Sequence, residues 1–315
     1  MKERSFLSAS VFPSKILRDA RLMSLLNDGI FQPRHVTLFP TNRCNLKCSF
    51  CCCRDREKAD EMPLMDVQRL AVKLAGMGTK AVTVTGGGEP LCHPEINGIL
   101  RILLSMGIEV GMATNGMLLG RLETQGLCWV RISCCDERKI SGDMVNLYVK
   151  TVERFPEIDW AFSYVYGPRF DIDNLLLHLA LAKRLNLTHV RVLPEIPEKP
   201  GSPSIQEVKT ALAGRNDLVV YQERDRFVHG RNPCLHARLR PLIAADGSVY
   251  PCCSVQYAHD PAEMKLPQNM RLGHWTDLEK LTAPFDGSGC VRCYYDGYNE
   301  LLEMLSSEVW HEKFI

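Results

Sequence analysis

Three cysteines lie close together in a short polar segment near the start of the chain. Cys44, Cys48 and Cys51 have the spacing C-x3-C-x2-C, with Asn, Arg and Lys side chains around them. Such a compact loop can place three thiolates on three corners of one cubane cluster, which leaves the fourth iron open for another ligand. Buried free thiols and a zinc site completed by Cys52 or Cys53 are the alternatives. The polar surroundings favour the iron–sulfur site.

A second set of cysteines is spread over the C-terminal third of the chain. Its members are Cys234, Cys252, Cys290 and Cys293. Asp246-Gly247 predicts a hairpin turn that would bring the first two of these together, and the final C-x2-C pair would close the site. Four thiolates suffice for a complete [4Fe–4S] cluster, and they would also hold zinc. Cys253 is adjacent to Cys252 and could replace it as the ligand.

The composition of the chain indicates the compartment in which these cysteines act and the partners that the protein has. The chain has 315 residues, 14 of them Cys, and Met1–Pro13 lacks the apolar stretch of a secretory signal. No run reaches the roughly 18 apolar residues that span a bilayer. We therefore expect a cytoplasmic protein, since clustered cysteines in a reducing compartment bind metal or do redox chemistry. The formal net charge is only +1, which makes a nucleic-acid or membrane partner unlikely on electrostatic grounds.

The elements that must position the first cysteines alternate between two patterns. Short runs rich in Val, Ile, Phe and Thr occur at His35–Pro40, Lys80–Thr85, Ile108–Thr114, Cys128–Cys134, Asp159–Tyr166 and His189–Leu193. Helical patterns lie between some of them, at Pro63–Met77, Glu95–Met106 and Asn174–Leu185. This alternation predicts an α/β fold with a parallel sheet, either a βα barrel or a doubly wound sheet. In both, the loops after the strands form the working face.

The alternation of strand and helix patterns ends at about residue 196. A Pro-rich connection at 194–203 is followed by a loop-rich segment that contains the second set of cysteines. We predict an N-terminal extension over 1–34, a barrel core over 35–220, a small α+β domain over 221–300 and a C-terminal helix over 301–315.

The cysteine triplet, with aromatic Phe50 before its last member, resembles that of the radical S-adenosylmethionine (SAM) superfamily. The resemblance covers residues 35–195. Gly87-Gly88-Glu89-Pro90 after the second run matches the family's GGEP motif, and Thr114-Asn115-Gly116 follows the third run. The resemblance implies a partial (β/α)6 barrel. It also implies a [4Fe–4S] cluster on the triplet, with SAM bound at its open iron.

The same resemblance assigns residues to SAM. The backbone of Gly87, Gly88 and Glu89 would pair with the amino group of its methionine moiety, because glycines let backbone approach a ligand closely. It would place Phe50 near the adenine, Asn115 near the carboxylate or ribose, Ser133 at the ribose and Arg191 within reach of the carboxylate. One electron, from a donor such as flavodoxin or ferredoxin, would cleave SAM to methionine and a 5′-deoxyadenosyl radical that abstracts a substrate hydrogen.

The second set of cysteines resembles the C-terminal extensions known as SPASM and twitch domains. No Cys follows Cys293, so the layout is similar to the shorter twitch type, which has one auxiliary cluster. If all four thiolates bind it, that cluster has no open site and favours electron transfer. The resemblance therefore implies an enzyme that oxidises a small molecule, as in the twitch-type dehydrogenases of aminoglycoside biosynthesis.

Other readings of the chemistry remain open. One is a peptide or protein maturase that forms a cross-link; another is a redox-neutral epimerase, lyase or isomerase that acts on a sugar or nucleotide. A non-catalytic iron–sulfur or zinc protein is the alternative outside enzymes. A basic cluster surrounds Cys234 and comprises Arg224, Arg226, Arg231, Arg238 and Arg240. Its members are either solvated structure or a site for an anionic group on the substrate, such as a phosphate.

Overall fold

The strands of the barrel follow one another in space as they do in the chain. A computed structural model describes residues 31–196, 200–215, 217–222, 228–258, 265–281 and 285–306. Its parallel strands are β1 (His35–Leu38), β2 (Ala81–Val84), β3 (Glu109–Thr114), β4 (Trp129–Cys135), β5 (Asp159–Tyr166), β6 (His189–Pro194) and β7 (Val219–Tyr221). Their order has no reversal, which identifies a partial barrel and excludes a doubly wound sheet. The short strand β7 adds a seventh strand to the six predicted, because three residues give no readable alternation.

Helices cover the outer face of this sheet. They are α1 (Leu64–Gly76), α2 (Ile96–Ser105), α3 (Gly142–Arg154), α4 (Ile172–Arg184) and α5 (Ile205–Ala211). Helix α1 buries Val67, Leu70, Ala71 and Leu74, as its spacing predicts. The sequence pattern did not predict α3. Its buried residues are Met144, Tyr148 and Thr151, so the helix lacks the repeated Leu, Ile or Val residues that mark an apolar face. Short 3-10 helices occur at Pro90–Cys92, Leu119–Arg121, Gln268–Met270 and Trp275–Lys280.

The two faces of each barrel strand have different environments. In β4, Val130 and Ile132 are fully buried in the core shared with the helices. Arg131 and Ser133 alternate with them and are only partly buried, so they face the inside of the barrel, which we call the lumen. The lumen therefore has polar side chains at the level of the strands.

The C-terminal segment continues the same sheet. Strand β8 (Leu242–Ile243) pairs in parallel with β1, and β9 (Ser248–Tyr250) and β10 (Gly273–His274) extend the sheet antiparallel. The hairpin predicted at Asp246-Gly247 is present, with Gly247 at φ +83°, a conformation that favours glycine. Helices α6 (His236–Leu239), α7 (Val255–Ala258) and α8 (Asp296–Ser306) complete this part of the chain.

Parts of the predicted outline lie outside the described residues. They include residues 1–30 of the N-terminal extension, residues 307–315 of the C-terminal helix, and the basic-cluster members Arg224 and Arg226. In the ranges that the structure describes, none of the helices has the length and apolar character needed to cross a membrane.

Candidate active site and auxiliary cysteine site

The triplet loop, Cys44–Cys51, leaves the end of β1 at the carboxyl edge of the sheet. Cys44 is exposed, whereas Cys48 and Cys51 are partly buried. Burial raises the pKa of the Cys48 thiol to about 11, and the nearby thiols of Cys135, Cys51 and Cys44 also raise it. The structure therefore brings the three predicted ligands together. A positively charged cluster would favour their thiolate forms.

Hydrogen-bond donors point at two of these sulfurs. The Leu46 backbone N–H donates to Cys44 Sγ at 3.4 Å, and Arg56 Nη1 donates to Cys51 Sγ at 3.6 Å. Such donors stabilise negative charge on sulfur and tune the potential of iron–sulfur clusters. The donor set and its surroundings fit a [4Fe–4S] cluster.

The glycines after β2 pack directly against the backbone that precedes the triplet. A Cβ on Gly88 would lie 2.0 Å from the Arg43 carbonyl oxygen, and one on Gly87 would lie 1.8 Å from Asn42 Oδ1. Gly88 N–H donates to the Thr41 carbonyl at 2.9 Å. These positions thus have a packing reason to be glycine, beside the predicted approach to SAM.

Glu89 joins the loops that follow β2 and β3. Its buried carboxylate accepts hydrogen bonds from Thr114 Oγ1 and the Asn115 backbone N–H, both at 2.6 Å, and from Leu91 N–H at 3.1 Å. Burial raises the pKa of Glu89, and these donors oppose the rise. Asn115 in turn donates to Asn45 Oδ1 at 2.8 Å, which connects the Glu89 network to the triplet loop.

Two more predicted SAM residues share one row across the lumen. Ser133 on β4 is in register with Ser163 on β5, and Ser163 is in register with Arg191 on β6. Arg191 donates to Ser163 Oγ through Nη2 at 2.7 Å and Nε at 3.2 Å. Phe50, adjacent to Cys51, is partly exposed. All the residues predicted for SAM therefore lie on the triplet loop, on loops that follow strands, or on lumen positions.

Sequence reasoning missed two charged residues in the loop after β4. Arg138 Nη2 donates to the Ser133 carbonyl, while its buried Nε has no hydrogen-bond partner among the described residues. Its positive charge acts on Cys48, Cys135 and Glu89. No motif marks it; its position just after a strand end was the available signal.

Glu137, the other missed residue, holds the triplet loop from outside. Its carboxylate accepts hydrogen bonds from the Ser49 backbone N–H at 3.3 Å and from the Ser49 hydroxyl, and it pairs with Arg169 at 2.6 Å. Burial would raise its pKa, but these donors hold the pKa of Glu137 below its usual value.

The four C-terminal cysteines come together in one place. Cys234, Cys252, Cys290 and Cys293 all line a single cavity, which we call the auxiliary cavity. Burial, followed by the nearby thiols of Cys234 and Cys293, raises the pKa of Cys290 to about 12. Asn299 Nδ2 donates to Cys234 Sγ at 3.6 Å, which is again a donor suited to a cluster thiolate.

Cys253 points elsewhere. Its Sγ lies 3.0 Å from Tyr295 Oη, and it acts electrostatically on Arg131, a lumen residue of β4. It does not line the auxiliary cavity, whereas its neighbour Cys252 does. The geometry therefore favours Cys252 as the ligand.

The described part of the chain contains no group of three or more His, Cys, Asp or Glu side chains placed to hold one metal ion. A four-cysteine zinc site needs all four sulfurs about 2.3 Å from one centre. In a [4Fe–4S] cubane each thiolate binds a different iron, so the four cysteine sulfurs lie further apart than they do around one zinc ion. Cys53, an alternative zinc ligand, is buried in an apolar cluster with Phe39 and Leu242.

The basic cluster around Cys234 divides into separate environments. Arg231 forms ion pairs with Asp296 and, at 2.9 Å, with Glu303 on α8. These acids occupy its guanidinium, so it is not placed to bind a substrate anion. Arg240 has no such pair and lies over the Tyr295 ring at 5.8 Å.

Comparison with known proteins agrees with this arrangement. The profile of the radical SAM superfamily matches residues 38–162. The chain is similar to the GTP 3′,8-cyclase of Chlorobaculum tepidum, with 31% identity over 173 residues that cover 52% of this chain and 48% of that protein. It is also similar to the GTP 3′,8-cyclase of Peptoclostridium acidaminophilum, with 36% identity over 121 residues, or 35% of this chain and 37% of that protein. The matched segments span less than half the length of these relatives.

Structural similarity to solved proteins extends over more of the chain than the sequence similarity does. Streptococcus suis SuiB bound to S-adenosylmethionine has a TM-score of 0.55 at 15% identity, covering 77% of this chain and 66% of that one. The structure of anSMEcpe with bound AdoMet and Cp18Cys peptide has a TM-score of 0.51 at 14% identity, covering 90% and 86%. The chain therefore carries a radical SAM domain over residues 38–162.

Proposed function

We propose that the chain is a radical SAM enzyme that oxidises a small molecule held in the barrel lumen. When bound, SAM and its cluster supply a 5′-deoxyadenosyl radical that removes a substrate hydrogen atom. The observation that carries the proposal is the auxiliary cavity. Four thiols meet there, and the adjacent Cys253 extends from it toward Arg131 in the lumen.

The residues of the triplet loop and its neighbours have defined roles in this proposal. Cys44, Cys48 and Cys51 hold the first cluster. The backbone at Gly87–Glu89 meets the amino group of SAM, and Arg138 supplies positive charge for its carboxylate. Arg138 suits this role because its buried Nε has no hydrogen-bond partner in the described residues.

The second cluster, on Cys234, Cys252, Cys290 and Cys293, makes the reaction an oxidation. The substrate loses one hydrogen atom, then one electron and one proton, which together are a two-electron oxidation. The electron passes to the auxiliary cluster, so the electron that starts each turnover is recovered. An external donor of the flavodoxin or ferredoxin class then primes the enzyme and is not consumed with the product.

The test is anaerobic reconstitution of the full chain, followed by iron, sulfide and SAM-cleavage assays. We expect about eight irons and eight sulfides per chain, because two [4Fe–4S] clusters are proposed. With dithionite and SAM, 5′-deoxyadenosine should form. About four irons would remove the electron acceptor and with it the oxidation. Absence of 5′-deoxyadenosine from a protein with full iron content would contradict the radical SAM activity itself.

A redox-neutral rearrangement is the second candidate. It is favoured by the similarity to relatives named GTP 3′,8-cyclase, which suggests a nucleotide substrate. The two candidates differ in electron demand once the substrate is known. Oxidation needs no reductant beyond priming, whereas a rearrangement that consumes SAM needs two electrons for each product, one to cleave SAM and one to reduce the rearranged product radical. Titrating dithionite against product distinguishes them.

A further inference from the structure

A buried histidine lies at the wall of the auxiliary cavity with no hydrogen bond from its ring. His236 is the first residue of α6, two residues after Cys234, and it lines that cavity together with the four cysteines. Only 1% of His236 is exposed. In the ranges that the structure describes, neither Nδ1 nor Nε2 has a hydrogen-bond partner. An imidazole carries at least one N–H, whether neutral or protonated, so the cavity wall contains a buried donor without an acceptor.

The ring of His236 is held by aromatic neighbours. It stacks on the Tyr295 ring with centroids 4.1 Å apart and 15° between the planes, and the Tyr298 ring lies 5.3 Å away at 73°. Stacking covers a face of the imidazole, whereas its hydrogen bonds are made in the plane of the ring. These contacts therefore fix the ring without giving its N–H an oxygen, nitrogen or sulfur acceptor.

The backbone of His236 is connected to the first cysteine of the cavity. Its N–H donates to Asn299 Oδ1 at 2.8 Å, and Asn299 Nδ2 donates to Cys234 Sγ at 3.6 Å. Asn299 belongs to α8 and is itself buried. One amide side chain thus holds His236 and Cys234 in a fixed relation, and the imidazole remains part of the cavity wall.

A [4Fe–4S] cluster on the four cysteines would supply the missing acceptor. It brings inorganic sulfides and thiolate sulfurs, which carry negative charge, into the cavity that His236 lines. N–H groups that donate to such sulfurs stabilise this negative charge. The unpartnered ring nitrogens therefore fit the group that we propose for this cavity.

We propose that His236 donates its ring N–H to a sulfur of the auxiliary cluster and raises the reduction potential of that cluster. Reduction adds one electron, and a donor stabilises the added charge, so the reduced form gains more than the oxidised form. A higher potential makes the cluster a better acceptor for the electron that leaves the substrate radical. The inference rests on the proposed function, because it needs the second cluster; it identifies a residue that controls how readily this cluster is reduced.

The test is a redox titration of the anaerobically reconstituted full chain, without SAM or substrate, followed by electron paramagnetic resonance. The auxiliary signal is the one that Cys252→Ala lacks. His236→Phe keeps an aromatic ring beside Tyr295 and removes both nitrogens. We expect it to keep about eight irons per chain. Reduction of its auxiliary cluster should shift about tenfold toward the oxidised form, which is about 59 mV for one electron. The potential of the triplet cluster should not change.

His178→Phe is the matched control. His178 lies on α4, is 1% exposed, and packs against the rings of Phe162 and Tyr164 with centroids 5.7 and 5.4 Å away. Its Nε2 also has no partner among the described residues, but it does not line the auxiliary cavity. This substitution should leave the auxiliary potential unchanged. His236→Gln keeps an N–H donor and should shift the potential less than His236→Phe does.

A second measurement uses the wild type and decides the question if His236→Phe does not fold. Protein made with isotope-labelled histidine should show a weak hyperfine coupling between a histidine nitrogen and the reduced auxiliary cluster. The coupling is weak because a hydrogen bond separates the nitrogen from the spin. A nitrogen bound directly to iron would give a much stronger coupling.

An unchanged auxiliary potential in His236→Phe would overturn the inference, and so would a wild-type spectrum without a histidine coupling. A strong coupling would make His236 an iron ligand and would overturn it as well. If the wild type holds about eight irons and forms 5′-deoxyadenosine, each of these results removes only the role of His236. About four irons in the wild type would contradict the proposed oxidation, and this inference with it.

Discussion

The two cysteine sites are built in opposite ways. The triplet loop takes its three thiols from eight consecutive residues, and it is exposed or partly buried along its length. The auxiliary cavity draws its four thiols from three separate segments between Cys234 and Cys293. The ligands of the first site are close together in the sequence, and neighbouring loops fix the conformation of the segment that carries them. The second has its ligands brought together only by the fold.

The difference shows which contacts with the surrounding protein each site depends on. The triplet loop is held by Glu89 through Asn115 and Asn45 on one side, and by Glu137 through Ser49 on the other. It can therefore stay partly exposed, as a site that must admit SAM requires. The auxiliary cavity is lined by its own ligand segments, so its shape depends on the tertiary contacts that bring those segments together.

The largest expected effect comes from removing a triplet ligand. Cys48→Ala should abolish 5′-deoxyadenosine formation and lower the iron content by about four atoms per chain, because a cluster with two thiolates is not retained. The auxiliary cluster should remain, since its ligands are separate. Cys128→Ala changes an exposed cysteine outside both sites and is the control. Iron content that is unchanged in Cys48→Ala would contradict the assignment.

The auxiliary cavity allows a sharper test with two adjacent cysteines. Cys252→Ala should lose about four irons from the C-terminal site while the triplet cluster is kept. Cys253→Ala should keep both clusters, because its thiol is hydrogen-bonded to Tyr295 Oη at 3.0 Å and Cys253 is not among the residues that line the cavity. Iron analysis and electron paramagnetic resonance of the reduced proteins provide the measurement. Full iron content in both variants would show that the two cysteines can replace each other, and iron loss in Cys253→Ala alone would contradict the assignment of Cys252.

The sequence predicted the barrel well because strand and helix patterns are local signals, as is the spacing of the triplet, whose role as a cluster site stays a prediction. Strand alternation, helix spacing and C-x3-C-x2-C can be read over a few residues. Asn115 was predicted to lie near the carboxylate or ribose of SAM, and the structure places it on the loop after β3, where it donates to Asn45 of the triplet loop. Whether it contacts SAM stays a prediction.

The parts that the sequence did not predict depend on tertiary contacts. Arg138 and Glu137 belong to no motif, and their importance lies in meeting Ser133 and Ser49 across the fold. The choice between Cys252 and Cys253 likewise required the direction of two adjacent side chains, which spacing does not provide.

Glu89 tests the support of the triplet loop from the β2 side. Glu89→Gln replaces one carboxylate oxygen with a donor that faces the backbone N–H of either Asn115 or Leu91, so at least one hydrogen bond is lost in a buried place. We expect the free energy of unfolding to fall by about 1–3 kcal/mol. Glu109→Gln, at an exposed position on β3, should change it by less than about 0.5 kcal/mol. Chemical denaturation of the two variants gives both values, and equal values would contradict the role of Glu89.

Glu137 supports the triplet loop from the other side, and its removal should have the smallest effect. Its pair with Arg169 is exposed, so Glu137→Gln should lower global stability by less than about 1 kcal/mol. The local effect is larger, because the Ser49 N–H loses a charged acceptor. Hydrogen–deuterium exchange over residues 48–51 should become faster in Glu137→Gln, while Arg169→Gln, which removes only the ion pair, should change it less. Equal exchange in the two variants would mean that the Glu89 network alone holds the triplet loop. The hydrogen bonds between Glu137 and Ser49 would then contribute nothing to the order of residues 48–51.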